Sequence, residues 1–189
     1  YDDFCSLLEI EQKNFKKNTA YYMSEKINLT ETVSLFPHRL DERPKTVGPA
    51  PNRQVSQFPE DRQWEDILFA YVKAFPGVEV DATHIGGDGS EKAFFLPQYQ
   101  HLKGFQNKFL VDNEFAHIHK HESSSLHAVL PIEIGQIITD KKWGEPHPLS
   151  LLGEVSETNH LLYGARNAQE TQQLKVLLRI SYLFATNNW

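Results

Sequence analysis

The clearest pattern in the chain is an apolar stripe at Trp64, Ile67, Leu68, Tyr71, Val72 and Phe75. These positions recur at intervals of three and four, one face of a 3.6-residue period, and predict a helix. Pro59, Glu60 and Asp61 suit its first turn, and Pro76-Gly77 ends it. Val78, Val80 and Ala82 then alternate with Glu79 and Asp81, the period of a half-buried strand. A glycine turn at 86–89 leads to a short apolar strand over 93–96, closed by Pro97. Two strands follow at about 112–119 and 125–130, and a helix after Pro131 carries Ile134, Ile137 and Ile138. A strand over 160–163 precedes a last helix over 168–185, with Leu174, Leu177, Leu178 and Phe184 on its buried side. Asn167 with Glu170 three residues later predicts a capping box at its start. Helices mixed with hairpin-length strand connections predict an α+β class: a single domain with a mainly antiparallel sheet and flanking helices.

Two segments fall outside this regular pattern. Residues 1–35 are polar and helix-compatible, a lead-in that either packs on the domain or leads back to a membrane anchor upstream. Residues 36–59 hold five prolines (Pro37, Pro44, Pro49, Pro51 and Pro59) and show little periodicity. Proline fixes φ and removes a donor, so an irregular extended segment is expected here. Phe36, Leu40, Val47, Val55 and Phe58 are its expected apolar anchors, making it an ordered wall of the pocket in a domain over 36–189, with a solvated spacer as the alternative.

Composition narrows the chemistry. The chain has 189 residues, a formal net charge of −6, and basic residues interleaved with acidic ones, which argues against a nucleic-acid partner. The glycines at 86, 87 and 89 lack the Lys-Ser/Thr of a phosphate loop, so no nucleotide site is expected. One cysteine, Cys5, excludes an internal disulfide and a thiolate zinc cage. No run approaches the ~18 apolar residues that span a bilayer, so membrane association is expected only through a segment outside this chain.

Histidine is the unusual feature. Of nine histidines, His117, His119, His121, His127 and His147 lie between 117 and 147. On a strand, His117 and His119 share a face. A hairpin centred on Glu122 sets His117 opposite His127 and His119 opposite Ser125, with cross-strand Cβ atoms ~5 Å apart. His147 arrives from the following proline-rich loop, and Glu114, Glu122 and Glu145 are carboxylates within reach, exposure being their default. Imidazoles gathered in this way either bind a transition metal or serve as base and donor without one. A hairpin of partly solvated histidines with no role is the plain alternative. Serines 123–125 lack the Gly-x-Ser-x-Gly setting of a hydrolase nucleophile.

The ordered runs Glu114-Phe-Ala-His-Ile-His119, Ser125-Leu-His127, Trp143-Gly-Glu-Pro-His147-Pro-Leu149 and Leu162-Tyr163-Gly-Ala-Arg166-Asn167 resemble the fungal luciferase family of luciferase-like domains. Arg43-Pro44, Arg53-Gln54 and Lys92 to Pro97 look like their counterparts upstream, so the resemblance spans about 40–185. His117, His119, His127 and His147 match motif positions, whereas His121 stands where the family has another residue. Fungal luciferases add molecular oxygen to 3-hydroxyhispidin, and the resulting peroxide loses carbon dioxide to leave an emitting product. The resemblance implies an oxygenase acting on a small electron-rich aromatic or enol, hydroxypyrone-like, with no flavin or nucleotide and no required cofactor. His117, His119, His127 and His147 would be catalytic, or the ligand set if a metal is present. Arg53, Trp143, Tyr163 and Arg166 would bind substrate. A non-catalytic small-molecule- or partner-binding module, or a His-ligated metal enzyme, are the alternatives.

Overall fold

The computed structural model describes residues 26, 28–59, 61–85, 91–99, 106–119 and 123–189. Most of the expected lead-in, Cys5, His121, Glu122 and the glycine turn lie outside the described residues. The part of the lead-in that is described is helical over 28–34 and packs inward, with Val33 fully buried.

Among the described residues eight strands and three further α-helices follow: β1 (Thr46–Val47), β2 (Arg53–Gln54), α1 (Gln63–Lys73), β3 (Glu79–Ala82), β4 (Lys92–Phe95), β5 (Glu114–Ile118), β6 (Leu126–Val129), α2 (Ile132–Asp140), β7 (Gly144–Pro146), β8 (Asn159–Leu162) and α3 (Ala168–Ala185). The last six strands to form ladders make one antiparallel sheet in the order β3-β4-β5-β6-β8-β7. This is the α+β class that the alternation predicts. Two elements are additional to the pattern: the edge strand β7, ending on Pro146, and the β1–β2 pair inside the proline-rich segment. Proline is tolerated in β7 because an edge strand needs only one side of its ladder.

The two faces of the sheet have different chemistry, and the register shows why. Val80, Phe94, Ala116, Ala128, His160 and Pro146 are successive cross-strand partners and lie on one face. Phe94, Ala116 and Ala128 join Leu68 and Val72 of α1, Ile134 and Ile138 of α2, and Leu174, Leu177 and Leu178 of α3 in one apolar core. The alternate row is Asp81, Ala93, His117, His127, Leu161 and Glu145. With all three helices on the first face, this second face is covered by the 36–59 segment.

That covering strap is fixed by polar groups. Arg39, Asn52 and Gln54 are buried, whereas Leu40, Val47, Val55 and Phe58 are exposed, so of the five expected apolar anchors only Phe36 is buried. The Arg39 guanidinium lies 5.7 Å from both the Trp143 and Tyr163 rings and donates to the Gly164 carbonyl at 2.7 Å and to Glu170 at 3.1 Å. The Gln54 amide accepts from the Gly164 N–H at 3.0 Å and donates to the carbonyls of Ser56 and Gln57. The physical reason is that a polar sheet face offers the strap donors and acceptors rather than an apolar stripe to fill.

The capping box at α3 is half realised. Asn167 accepts from the Glu170 N–H at 3.0 Å, but the Glu170 carboxylate turns to Arg166 and Arg39 instead of returning to the cap. Gly164 is required by close approach: a Cβ there would stand 2.7 Å from the Ser124 carbonyl oxygen and 2.9 Å from that of Ser123. Backbone cannot rotate away as a side chain can. Gly164→Ala is therefore expected to destabilise the protein by about 1–3 kcal/mol, the usual cost of overpacking. Thermal unfolding checks this, the expected loss being roughly 2–4 °C per kcal/mol for a chain of this size.

Candidate functional site

The site begins with an irregularity in β5. Phe94 pairs with Ala116 and Phe95 with Glu114, so Phe115 is the extra residue of a β-bulge. The Phe115 ring turns into the core, 6.3 Å from Phe94 and 6.2 Å from Tyr182. Strict alternation would leave Glu114 and His117 on opposite faces. The bulge brings them to the same one, and the fully buried Glu114 accepts from His117 Nδ1 at 2.6 Å. Its carboxylate also accepts from the Thr83 hydroxyl at 3.0 Å and the His84 N–H at 3.0 Å. Exposure, the default for a glutamate, does not apply to Glu114. Glu145 is half-buried and accepts from the Tyr163 hydroxyl.

β5 and β6 pair with His117 opposite His127, and the His119 N–H donates to the Ser125 carbonyl beyond the ladder. This is the register that the spacing requires. The imidazoles of His117, His119 and His127 lie 5.0–5.1 Å apart by ring centroid. His147 joins them, 5.1 Å from the His127 ring. The four are between 2 and 8% exposed, which excludes a partly solvated hairpin.

Outward hydrogen bonds orient each ring. His127 Nε2 faces the Asn52 carbonyl at 2.8 Å, and because a carbonyl only accepts, Nε2 carries the hydrogen. The neutral ring is then bare at Nδ1, which has no hydrogen-bond partner among the described residues. His117, with Nδ1–H on Glu114, is bare at Nε2 in its neutral form. That atom lies 3.3 Å from His119 Nε2, while His119 Nδ1 is 3.0 Å from Ser125 Oγ. His147 differs: its Nδ1 accepts from the Leu149 N–H at 3.1 Å, so Nε2 carries hydrogen and the ring is a donor. Sequence reading missed Asn52 as a partner of the site. A lone Asn in a proline-rich stretch carries no signal of its own, and here it is the main-chain carbonyl that acts.

Burial disfavours the imidazolium form in this group. It lowers His119 to about 3, with the neighbouring His117 and then Arg53 adding to the effect. His127 is pushed well below the usual histidine range by burial, then by His117 and His119, against the opposing Asn52 hydrogen bond. His147 is lowered by burial and then His117. Arg53 thus lies close enough for its charge to act on the site.

The other expected substrate-binding residues are engaged elsewhere. Trp143 is buried, donates Nε1–H to the Pro37 carbonyl at 2.9 Å and meets Phe36 edge-on. The Tyr163 hydroxyl donates to Glu145 at 2.7 Å, and burial, then that bond, raise its pKa. Arg166 is bound to Glu170 and Asp41. Together with Arg39 these side chains fasten the strap. Arg43 donates to the Thr139 carbonyl on α2. A groove of about 450 Å³ lies on the helix-covered face between α2, Pro146 and Ser150, with His160 at its edge, and belongs to neither group.

Fold and site together define an α+β domain with a buried polyimidazole face. Residues 112–181 match the family model described as Luciferase domain, so this stretch is luciferase-like. It runs from the start of β5 into α3 and contains Glu114 and all four site histidines, while Arg53 and the remaining upstream resemblance lie outside it. Searches of curated proteins and of solved structures gave no match. Among the described residues no helix is long and apolar enough to cross a membrane.

The buried neutral imidazoles couple stability to pH. The folded chain binds protons at His119, His127 and His160 below the ordinary 6.5, so stability is full above that value. It is lost as pH falls toward about 3, where folded His119 titrates. The slope is up to about 1.4 kcal/mol per pH unit for each such histidine. Denaturant titrations with chelator between pH 7.5 and 5 are expected to show falling stability, and His127→Gln a shallower slope. A flat profile would contradict the neutral-site assignment.

Proposed function

We propose that this protein is a luciferase-like oxygenase that uses molecular oxygen on a small, electron-rich enol or phenol bound at the histidine face. The observation that carries the reading is the set of rings itself: Glu114 and Asn52 hold His117 and His127 by their outer nitrogens, so that the neutral rings offer lone pairs within a buried face. Such a face accepts hydrogen bonds and favours positive character in what it binds. The acidic O–H of an enol supplies this, and passing its proton to the bare Nε2 of His117, whose other nitrogen is paired with the Glu114 carboxylate, leaves an electron-rich anion able to reduce oxygen. The match to a Luciferase domain over the stretch that holds Glu114 and the four histidines supports oxygen as the second reactant.

Two groups answer the negative charge that then develops. His147 presents an N–H rather than a lone pair, and Arg53 carries positive charge near His119. Both suit stabilisation of an enolate or a peroxide anion. His147 has the greatest exposure of the four rings at 8%, so the substrate is expected to approach from its side. The strap over the face then determines the size and shape of molecule admitted.

Oxygen uptake by the full chain with a panel of hydroxypyrones and catechols tests the reading. Substrate-dependent consumption is expected, with His147→Ala lowering it by about 10²-fold, the usual scale for one proton-handling group. The melting temperature should change little, since that ring makes one local bond to the Leu149 N–H. Tight binding of a panel member without oxygen uptake would favour a non-catalytic binding module.

A further inference from the structure

We infer that His117, His119 and His127 form a binding site for one divalent transition-metal ion. The inference rests on side-chain geometry and holds whether or not oxygen is the reactant. Each ring offers a ligand nitrogen, and the three lie within 4.8 Å of one another. His117 Nε2 and His119 Nε2 are 3.3 Å apart. Two nitrogens bound at ~2.0–2.1 Å in tetrahedral geometry stand about 3.3 Å from each other, so this pair already has the spacing of adjacent ligands.

The hydrogen bonding around the rings is an independent observation. Metal-binding histidines usually donate their second ring N–H to a carboxylate, a carbonyl or another oxygen, which fixes tautomer and orientation. Here His117 has the Glu114 carboxylate, His127 has the Asn52 carbonyl, and His119 has the Ser125 hydroxyl. Ser125 Oγ in turn lies 2.6 Å from Ser123 Oγ, an acceptor for its proton. The remaining nitrogen of His127 is buried and without a partner among the described residues, a costly state for a polar atom unless something fills it. A cation bound by three lone pairs does so.

The donor set also selects the ion. Three neutral imidazoles suit zinc, cobalt, iron, nickel or copper, whereas magnesium and calcium require oxygen ligands. Glu114 contributes negative charge through His117 without ligating. His147 is outside the set because its Nδ1 is taken by the Leu149 N–H and its Nε2 carries hydrogen. A three-ligand site would leave a position open, and a bound cation would supply Lewis acidity there to an enol oxygen, so that the ligand nitrogens would not be needed as its base.

Binding is measured on the full chain after removal of metal with chelator, with zinc by calorimetry and cobalt by its visible spectrum. One ion per chain is expected, with the intense d–d bands of four-coordinate cobalt and a rise in melting temperature with zinc concentration. Replacing His117 and His119 together by Asn should abolish all three signals. Glu114→Gln, which leaves the ligands in place, should weaken affinity by about 10–100-fold at unchanged stoichiometry. Should the double variant fail to fold, wild-type and Glu114→Gln decide the matter. Absence of one-to-one binding in the wild type, six-coordinate cobalt spectra, or unchanged affinity in Glu114→Gln would overturn the assignment. Metal binding without oxygen uptake would leave it standing and count only against the oxygenase reading.

Discussion

The β5–β6 pairing is the constraint on which the rest of the site depends. It sets His117 directly opposite His127 and carries His119 beside Ser125, so that three imidazoles share one buried face. A one-residue slip would turn every one of them toward the apolar core. The core guards against such a slip, because Ala116, Ile118, Leu126 and Ala128 on the other face must meet the helices. The hydrophobic effect thus positions a polar site that it does not itself contain.

The bulge and the strap complete what the pairing begins. Without the extra Phe115, Glu114 would face the core, and His117 would lack the acceptor that fixes its tautomer. Without Asn52, His127 would bury both ring nitrogens unsatisfied. A buried polar group left unpaired costs about 1–3 kcal/mol, so these two contacts, with Ser125 on His119 and the Leu149 N–H on His147, offset part of the cost of keeping four histidines out of water. The strap is itself tied down by Arg39 between Trp143 and Tyr163, which links the sheet edge and α3 to the cover of the site.

Much of this was legible in the sequence, for identifiable reasons. The helix stripe from Trp64 to Phe75, the alternation near Val80 and the 117/119/127 spacing are periodic signals, and the elements follow them. The α3 start at Asn167 was readable from its cap. The bulge was not, because a single extra residue leaves no mark beyond an apolar run at Phe115-Ala116. Nor was the way the strap is held: Leu40 and Phe58 read as anchors, yet they are 77 and 51% exposed while Arg39, Asn52 and Gln54 are buried. Burial in that segment follows hydrogen-bonding demand from the sheet face, which an apolar pattern cannot report. Trp143, Tyr163 and Arg166 likewise read as pocket residues although their polar atoms are engaged, Trp143 and Arg166 with Pro37 and Asp41 of the strap and Tyr163 with Glu145.

The account turns on which nitrogen of each ring carries hydrogen. Long-range ¹H–¹⁵N correlation spectra of the metal-free chain at pH 7.5 report this directly for every imidazole. The account predicts hydrogen on Nδ1 of His117 and on Nε2 of both His127 and His147, with His127 Nδ1 showing the shift of a bare nitrogen. Shifts averaged between the two tautomers at His117 and His127, as in rings free in water, would contradict it.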